Sequence, residues 1–206
     1  MERELRATIA NAERMGLNYI VYGARSNLGM AVARQGKLRD ARAIEAMAVA
    51  FFEGQRDRRL AGASRMYLAI IELLDGDLDK AEADARAAVE VLDAARNAQA
   101  QALLARTLLA RGALAEALEQ SAAAYRQIGD NALFEGDATV RLVYAEALLA
   151  ADQRAAANLV IATARARLLD RAARIGAADL GWRRSFLEEV PDHRRTVELA
   201  HKLSSG

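Results

Sequence analysis

One short figure recurs along this chain and limits what it can fold into. A glycine is followed by a leucine two residues on, an alanine three beyond that, and a second alanine seven further. It reads Gly36, Leu38, Ala41, Ala48; then Gly76, Leu78, Ala81, Ala88; then Gly112, Leu114, Ala117, Ala124. A weaker copy is Asp152, Arg154, Ala157, Ala164. The turn positions are spaced 40, 36 and 40 residues apart (36 to 76, 76 to 112, 112 to 152). Repetition at such a period means stacked supersecondary units rather than one closed core.

The units are helical. Roughly a quarter of the residues are alanine, and the one proline is Pro191, so the best helix former abounds and the worst is nearly absent. Apolar residues fall at helical spacing over 2–15, with Leu5, Ile9 and Ala12 on one face. Further helices are expected over 17–35, 38–53, 60–74, 78–95, 98–111, 114–128, 133–150 and 154–175, and a last one over 192–202. Glycine leaves these helices and Asp or Asn starts the next, with Asp57, Asp77 and Asn97 read as N-caps.

A small residue stands seven places before each turn: Gly29, Ala69, Ala105 and Ala145. A larger one precedes it each time: Leu28, Leu68, Leu104 and Tyr144. Small side chains are needed where two helices approach closely, and larger neighbours fill the adjoining groove. Each unit is therefore read as an antiparallel helix pair that must stack on the next to bury its apolar face.

These features resemble the tetratricopeptide repeat (TPR). Ser26-Asn27-Leu28-Gly29 followed by Gln35-Gly36-Lys37-Leu38 is the nearest copy of its pattern. The resemblance covers about residues 17–171 and implies an all-α, right-handed α–α superhelix. It implies repeats at 17–54, 57–95, 97–128 and 131–171 of a single array, with 2–15 a partial first repeat and 172–203 C-terminal capping helices. The repeats exceed the usual 34 residues, the aromatic of the first helix is often missing, and the closing proline is absent. Longer repeats of this kind are similar to those of bacterial signalling proteins, such as regulatory ATPases and large serine/threonine kinases. The stretch Trp182–Pro191 is similar to the ending of those arrays. Trp182, Phe186, Leu187 and Val190, with Val197 and Leu199, are expected to cover the open end.

Bulk properties remove several classes of function. The formal net charge is +1, so no global field points to nucleic acid or a membrane. Residues 1–153 carry 19 Lys/Arg against 22 Asp/Glu, and residues 154–206 carry 10 against 6. There is no cysteine, hence no disulfide, zinc knuckle or thiol nucleophile. No apolar run is long enough to span a bilayer, and MERELRATIA has no signal-peptide core. A cytoplasmic location is expected, and a chain opening in mid-helix is expected to be a piece of a longer protein.

The residue types of catalysis are scattered. His193 and His201 are read as solvated surface residues. Glu188-Glu189 and Asp75/Asp77/Asp79 are read as solvated faces and a helix cap, since paired acid–base work needs two carboxyls facing one pocket. Gly16 to Gly23 lacks the spacing and lysine of a phosphate loop, and Ser26, Ser64, Ser121 and Ser185 have no histidine in a readable constellation. The arginines of the tail, from Arg165 to Arg195, alternate with acids and are read as helix-surface pairs. No enzyme, cofactor or metal is expected.

What remains is the concave face. In the family resembled here the first helix of each pair lines it. That register selects Asn27, Met30 and Arg34; Met66, Tyr67, Ile70 and Leu74; Leu103 and Arg106; and Leu142, Val143 and Glu146. An apolar stripe with flanking charge suits a partner's helix or extended peptide, and methionine adapts to several ligands. The expected function is a non-catalytic protein-interaction module or scaffold in a bacterial signalling protein. The alternative is a regulatory domain that senses a small molecule or signalling peptide. A homodimer is left open.

Overall fold

The computed structural model describes residues 2–129, 136–175 and 179–205. Among them are eleven α-helices and no strand. In order they are α1 (Glu2–Arg14), α2 (Asn18–Ala33), α3 (Leu38–Gly54), α4 (Arg58–Asp75), α5 (Leu78–Val91), α6 (Ala94–Ala110), α7 (Leu114–Ile128), α8 (Asp137–Ala150), α9 (Arg154–Ala173), α10 (Leu180–Glu188) and α11 (Pro191–Ser204). The chain divides into two compact units, Met1–Thr107 and Leu108–Gly206, with the boundary inside α6. No described helix is long and apolar enough to cross a membrane.

Within the first unit α1 packs on α2, α2 on α3, α3 on α4 and α4 on α5, and α2 also touches α4. Within the second, α7 packs on α8 and α8 on α9, α11 lies against both α8 and α9, and α10 touches α9 and α11. The repeated alanines explain the close approach. None of Ala41, Ala48, Ala81, Ala88, Ala117, Ala124, Ala157 and Ala164 is more than 1% exposed. Gly29, Ala69, Ala105 and Ala145 are buried as well.

The turns are as regular as the alanines. Gly36, Gly76 and Gly112 sit at φ 78°, 81° and 78°, and Asp152 takes φ 57° at the same place in the fourth copy. The next residue donates its N–H to the carbonyl five back: Lys37 to Val32, Asp77 to Glu72, Ala113 to Leu108 and Gln153 to Leu148. This is the Schellman closure, which needs a left-handed residue where glycine costs least. Asp57 caps α4 by accepting from the Leu60 N–H at 3.0 Å, and Asp77 caps α5 by accepting from Lys80 at 3.4 Å.

Two local expectations change. Helix α5 stops at Val91 rather than 95, because Leu92 turns extended at φ −83°, ψ 144°. Asp93, not Asn97, then accepts from an N–H of the new first turn, that of Arg96 at 3.4 Å. Asn97 instead reaches back, its amide donating to the Val89 carbonyl at 2.6 Å. Helix α8 opens at Asp137 behind Gly136, and the expected start at Leu133 lies outside the described residues.

At the C-terminal end, Leu199 is buried and Phe186, Leu187 and Val197 are half-buried, whereas Trp182 is 72% and Val190 38% exposed. Helix α10 has no buried residue. The buried residues of this end are on α11: Thr196, Leu199, Ala200 and Leu203. His193 is half-buried rather than solvated. Its Nδ1 lies 2.8 Å from the Phe186 carbonyl, which ties α11 to α10.

Candidate functional site

In the first unit the candidate residues form two matching stripes. Asn27, Met30 and Arg34 on α2 correspond, 40 residues on, to Tyr67, Ile70 and Leu74 on α4. Positions three and seven apart share a helix face. Asn27 and Arg34 are exposed, Met30, Tyr67 and Ile70 are half-buried, and Leu74 is 59% exposed. Met66 belongs to a different face. It stands in register with Ser26 and is buried like it. On α6, Leu103 is buried and Arg106 half-buried.

In the second unit the corresponding face of α8 is occupied by the fold itself. Val143, in the register of Asn27 and Tyr67, is 0% exposed, and Leu142, in the buried register of Ser26 and Met66, is 1%. Leu142 lies in one apolar cluster with Leu199, Ala200 and Leu203 of α11. Glu146 accepts from Arg195 of α11 at 3.0 Å, and Thr139, on the same face, donates to Asp192 at 2.6 Å. The amphipathic helix α11 therefore covers this face of α8.

The buried acids make no reaction centre. Glu45 on α3 is completely buried. Its Oε1 accepts from Ser26 Oγ at 2.6 Å, Ser64 Oγ lies 3.5 Å from Ser26 Oγ, and its Oε2 has no partner. Burial pushes its carboxyl up to about 8, against the two serine hydroxyls that pull it down. Burial also raises Glu72, helped by the Asp84 carboxylate and opposed by Arg42. Asp84 is in turn held by Arg65, which also bonds Glu53. A carboxyl with no exposed surface meets no substrate. Among the described residues no three His, Cys, Asp or Glu side chains converge as for a metal ion. The carboxylates read as surface features are committed locally: Asp75 to Arg42, Glu188 to Arg184 and Glu189 to Ser185. Among the tail arginines, Arg174 pairs with Asp170 and Arg194 with Glu198 within one helix, whereas Arg167 and Arg195 reach Asp137 and Glu146 of α8.

One concentration of chemistry was missed in the sequence reading. The chain has ten aromatic residues (one Trp, five Tyr, four Phe), and Tyr19, Tyr22, Phe51 and Phe52 gather in the first unit. Tyr22 and Phe51 stack at 4.0 Å, and Tyr19 meets Phe51 edge-on at 5.6 Å. Beside them Gly16, Leu17, Tyr19, Ile20, Phe51 and Gln55 line a hollow of about 370 Å³. The signal was the apolar run Met15 to Tyr22 across a turn. Helical periodicity assigns such residues to a core, and only the packing shows that Met15, Tyr19 and Ile20 are 70%, 48% and 49% exposed.

No family model matches the chain, and no curated protein does either. Solved structures do. A Podosopora anserina protein described as a kinesin light chain with nearly identical TPR-like repeats superposes with a TM-score of 0.60 at 16% identity, over 88% of this chain and 94% of that one. A single-substitution variant of it matches at the same TM-score and identity, over 88% and 93%. The TPR2AB-domain:pHSP90-complex of yeast Sti1 aligns over 99% and 98% at 12% identity, but its TM-score of 0.33 is too low to bear on the fold.

Proposed function

We propose that the chain, whose fold is that of TPR-like helical solenoids, is a non-catalytic interaction module that takes a helix or extended peptide of a partner protein on the first unit's repeated face. The observation carrying this reading is the matched pair of stripes on α2 and α4. Met30, Tyr67, Ile70 and Leu74 stay partly exposed there while every neighbouring repeat alanine is sealed. The apolar stripe of α4 with Met30 of α2 beside it, and Asn27 and Arg34 in the same register, suits an amphipathic ligand read at helical spacing. The long repeats favour a regulatory role in a larger bacterial signalling protein, acting in the cytoplasm.

A peptide array probed with the purified chain tests it. Amphipathic peptides should bind, and Tyr67→Asp or Leu74→Asp should abolish binding with helicity unchanged. These positions suit the test because they are partly exposed, whereas Met66→Asp would put a charge into the core. Equal binding by wild type and both variants removes the proposal.

A further inference from the structure

The aromatic hollow lies at one edge of the first unit, at the N-terminal end of α2, with Ile20 two turns before Asn27 of the repeated stripe. The α1–α2 turn supplies Gly16, Leu17 and Tyr19, and the C-terminal end of α3 supplies Phe51 and Gln55. Tyr22, Phe51 and Leu60 pack on one cluster, which brings the first turn of α4 to the same place. That turn carries Arg58 and Arg59, and Arg56 directly follows Gln55. All three are exposed.

The charges here are unbalanced in a specific way. Each acid of the edge is already bonded: Glu13 to Arg25, Glu53 to Arg65, and Asp57 to the α4 N-terminus. Among the described residues Arg56, Arg58 and Arg59 have no carboxylate partner. The first 153 residues carry more acid than base, so a cationic edge here stands against its background. Large apolar side chains left exposed together mark a contact surface. Unpaired guanidiniums beside them add charge complementarity for an anionic partner.

We infer that this edge is a second docking surface, separate from the repeated face, for an acidic segment of another protein bearing an aromatic or bulky aliphatic anchor. The anchor enters the hollow against Ile20 and Phe51, and flanking carboxylates meet Arg56, Arg58 and Arg59. The hollow is at the small end of ligand sites, so it takes a side chain rather than a helix. Nucleic acid fits less well. Tyr22 and Phe51 are stacked on each other, so those ring faces are not free to stack on bases. A membrane fits less well because polar Asn18 and Gln55 share the lining with the apolar residues.

Fluorescence anisotropy on the whole chain tests the inference with three labelled peptides. One is Asp/Glu-rich with a central Trp, the second replaces that Trp by Ser, and the third replaces the acids by Lys. The first should bind and weaken with salt, and the others should bind at least about tenfold more weakly. Arg58→Glu with Arg59→Glu, and separately Ile20→Ser, should each weaken the first peptide by roughly tenfold. Glutamate suits a helix's first turn, so the fold should survive, and circular dichroism confirms it. Should the double variant unfold, Arg56→Gln gives the same reading. Tyr67→Asp should leave this binding unchanged, which separates the edge from the repeated face. The inference is overturned if wild type ignores the first peptide, if the Ser peptide binds equally well, or if the edge variants change nothing. It is also overturned if only oligothymidylate or phosphatidylserine vesicles bind, or if Tyr67→Asp alone abolishes binding.

Discussion

Each unit buries a carboxylic acid, and the two handle it in opposite ways. In the first, Glu45 is met only by serine hydroxyls, and its second oxygen has no partner. Burial therefore favours the proton over the charge. In the second, Asp137 is 2% exposed and both of its oxygens face arginine, Arg141 Nε at 2.9 Å and Arg167 Nε at 3.0 Å. Arg141 is itself 1% exposed, donates to the Gly129 carbonyl at 2.6 Å, and lies 5.1 Å over the Tyr125 ring. The lesson is that a helix-pair array can absorb an acid either as a neutral hydrogen-bonding group or as half of a matched pair. The first choice ties stability to pH, and the second ties it to the partner.

The largest expected effect breaks the matched pair. Arg141→Met leaves Asp137 with one arginine and a buried charge, which costs about 3–5 kcal/mol. Urea unfolding should show this loss, and hydrogen exchange should place it in α8 and α9. A cost below about 1 kcal/mol would mean that the pair contributes little and that the contrast between the units is false.

Next comes the neutral acid, where the sign of the pH dependence is fixed. Glu45 ordinarily titrates near 4.5 and is pushed up to about 8 in the fold. Between those values the folded chain holds a proton that the unfolded chain has lost. Stability is therefore full below about pH 4.5 and declines as pH rises towards 8. Glu45→Gln should gain up to about 5 kcal/mol over wild type above pH 8, and lie within about 1 kcal/mol of it near pH 4.5. Glu72, raised by burial and by Asp84, leaves a residual slope in the variant. Identical pH profiles of the urea midpoint for wild type and Glu45→Gln would refute the neutral carboxyl.

This contrast also marks how far the sequence could be read. The glycine turns and paired alanines are geometric demands of backbone and packing, so they show as a repeat, and even Asp152 keeps the left-handed turn. Small residues before the turns were read as helix contacts, which holds for Ala145 in its apolar cluster. At Gly29 the reason is different: a Cβ there would stand 2.8 Å from Glu45 Oε2. A periodic pattern cannot tell a residue kept small for a helix from one kept small for a carboxyl. The face of α8 was illegible for a similar reason. Leu142 and Glu146 look like a groove until α11, distant in sequence, is folded onto them. Partial exposure at Tyr19 and Ile20 likewise depends on what packs nearby, which local spacing does not encode.

Gly29 gives a smaller, sharper test. In the second unit Ala145 stands in its register, and Ile161 occupies the place of Glu45. Gly29→Ala alone should cost about 1 kcal/mol, overcrowding outweighing the gain in helix propensity. In a Glu45→Ala background the same change should stabilise by about 1 kcal/mol. A double-mutant cycle showing no coupling would mean that the carboxyl is not what keeps position 29 small.

The smallest effect asks whether Ser26 acts on Glu45 through its charge. The hydroxyl donates to Glu45 Oε1 and pulls the carboxyl's proton affinity down. Ser26→Ala removes a donor that a neutral acid needs moderately and an ionised one needs more. Its cost should be about 1 kcal/mol near pH 5 and should grow above pH 8, where Glu45 ionises in the fold. Repeated in the Glu45→Gln background, the cost should no longer change with pH. A flat cost in both backgrounds would show that Glu45 never ionises inside the folded unit. A pH-dependent cost that survives Glu45→Gln would place the titrating group elsewhere, with Glu72 the next to examine.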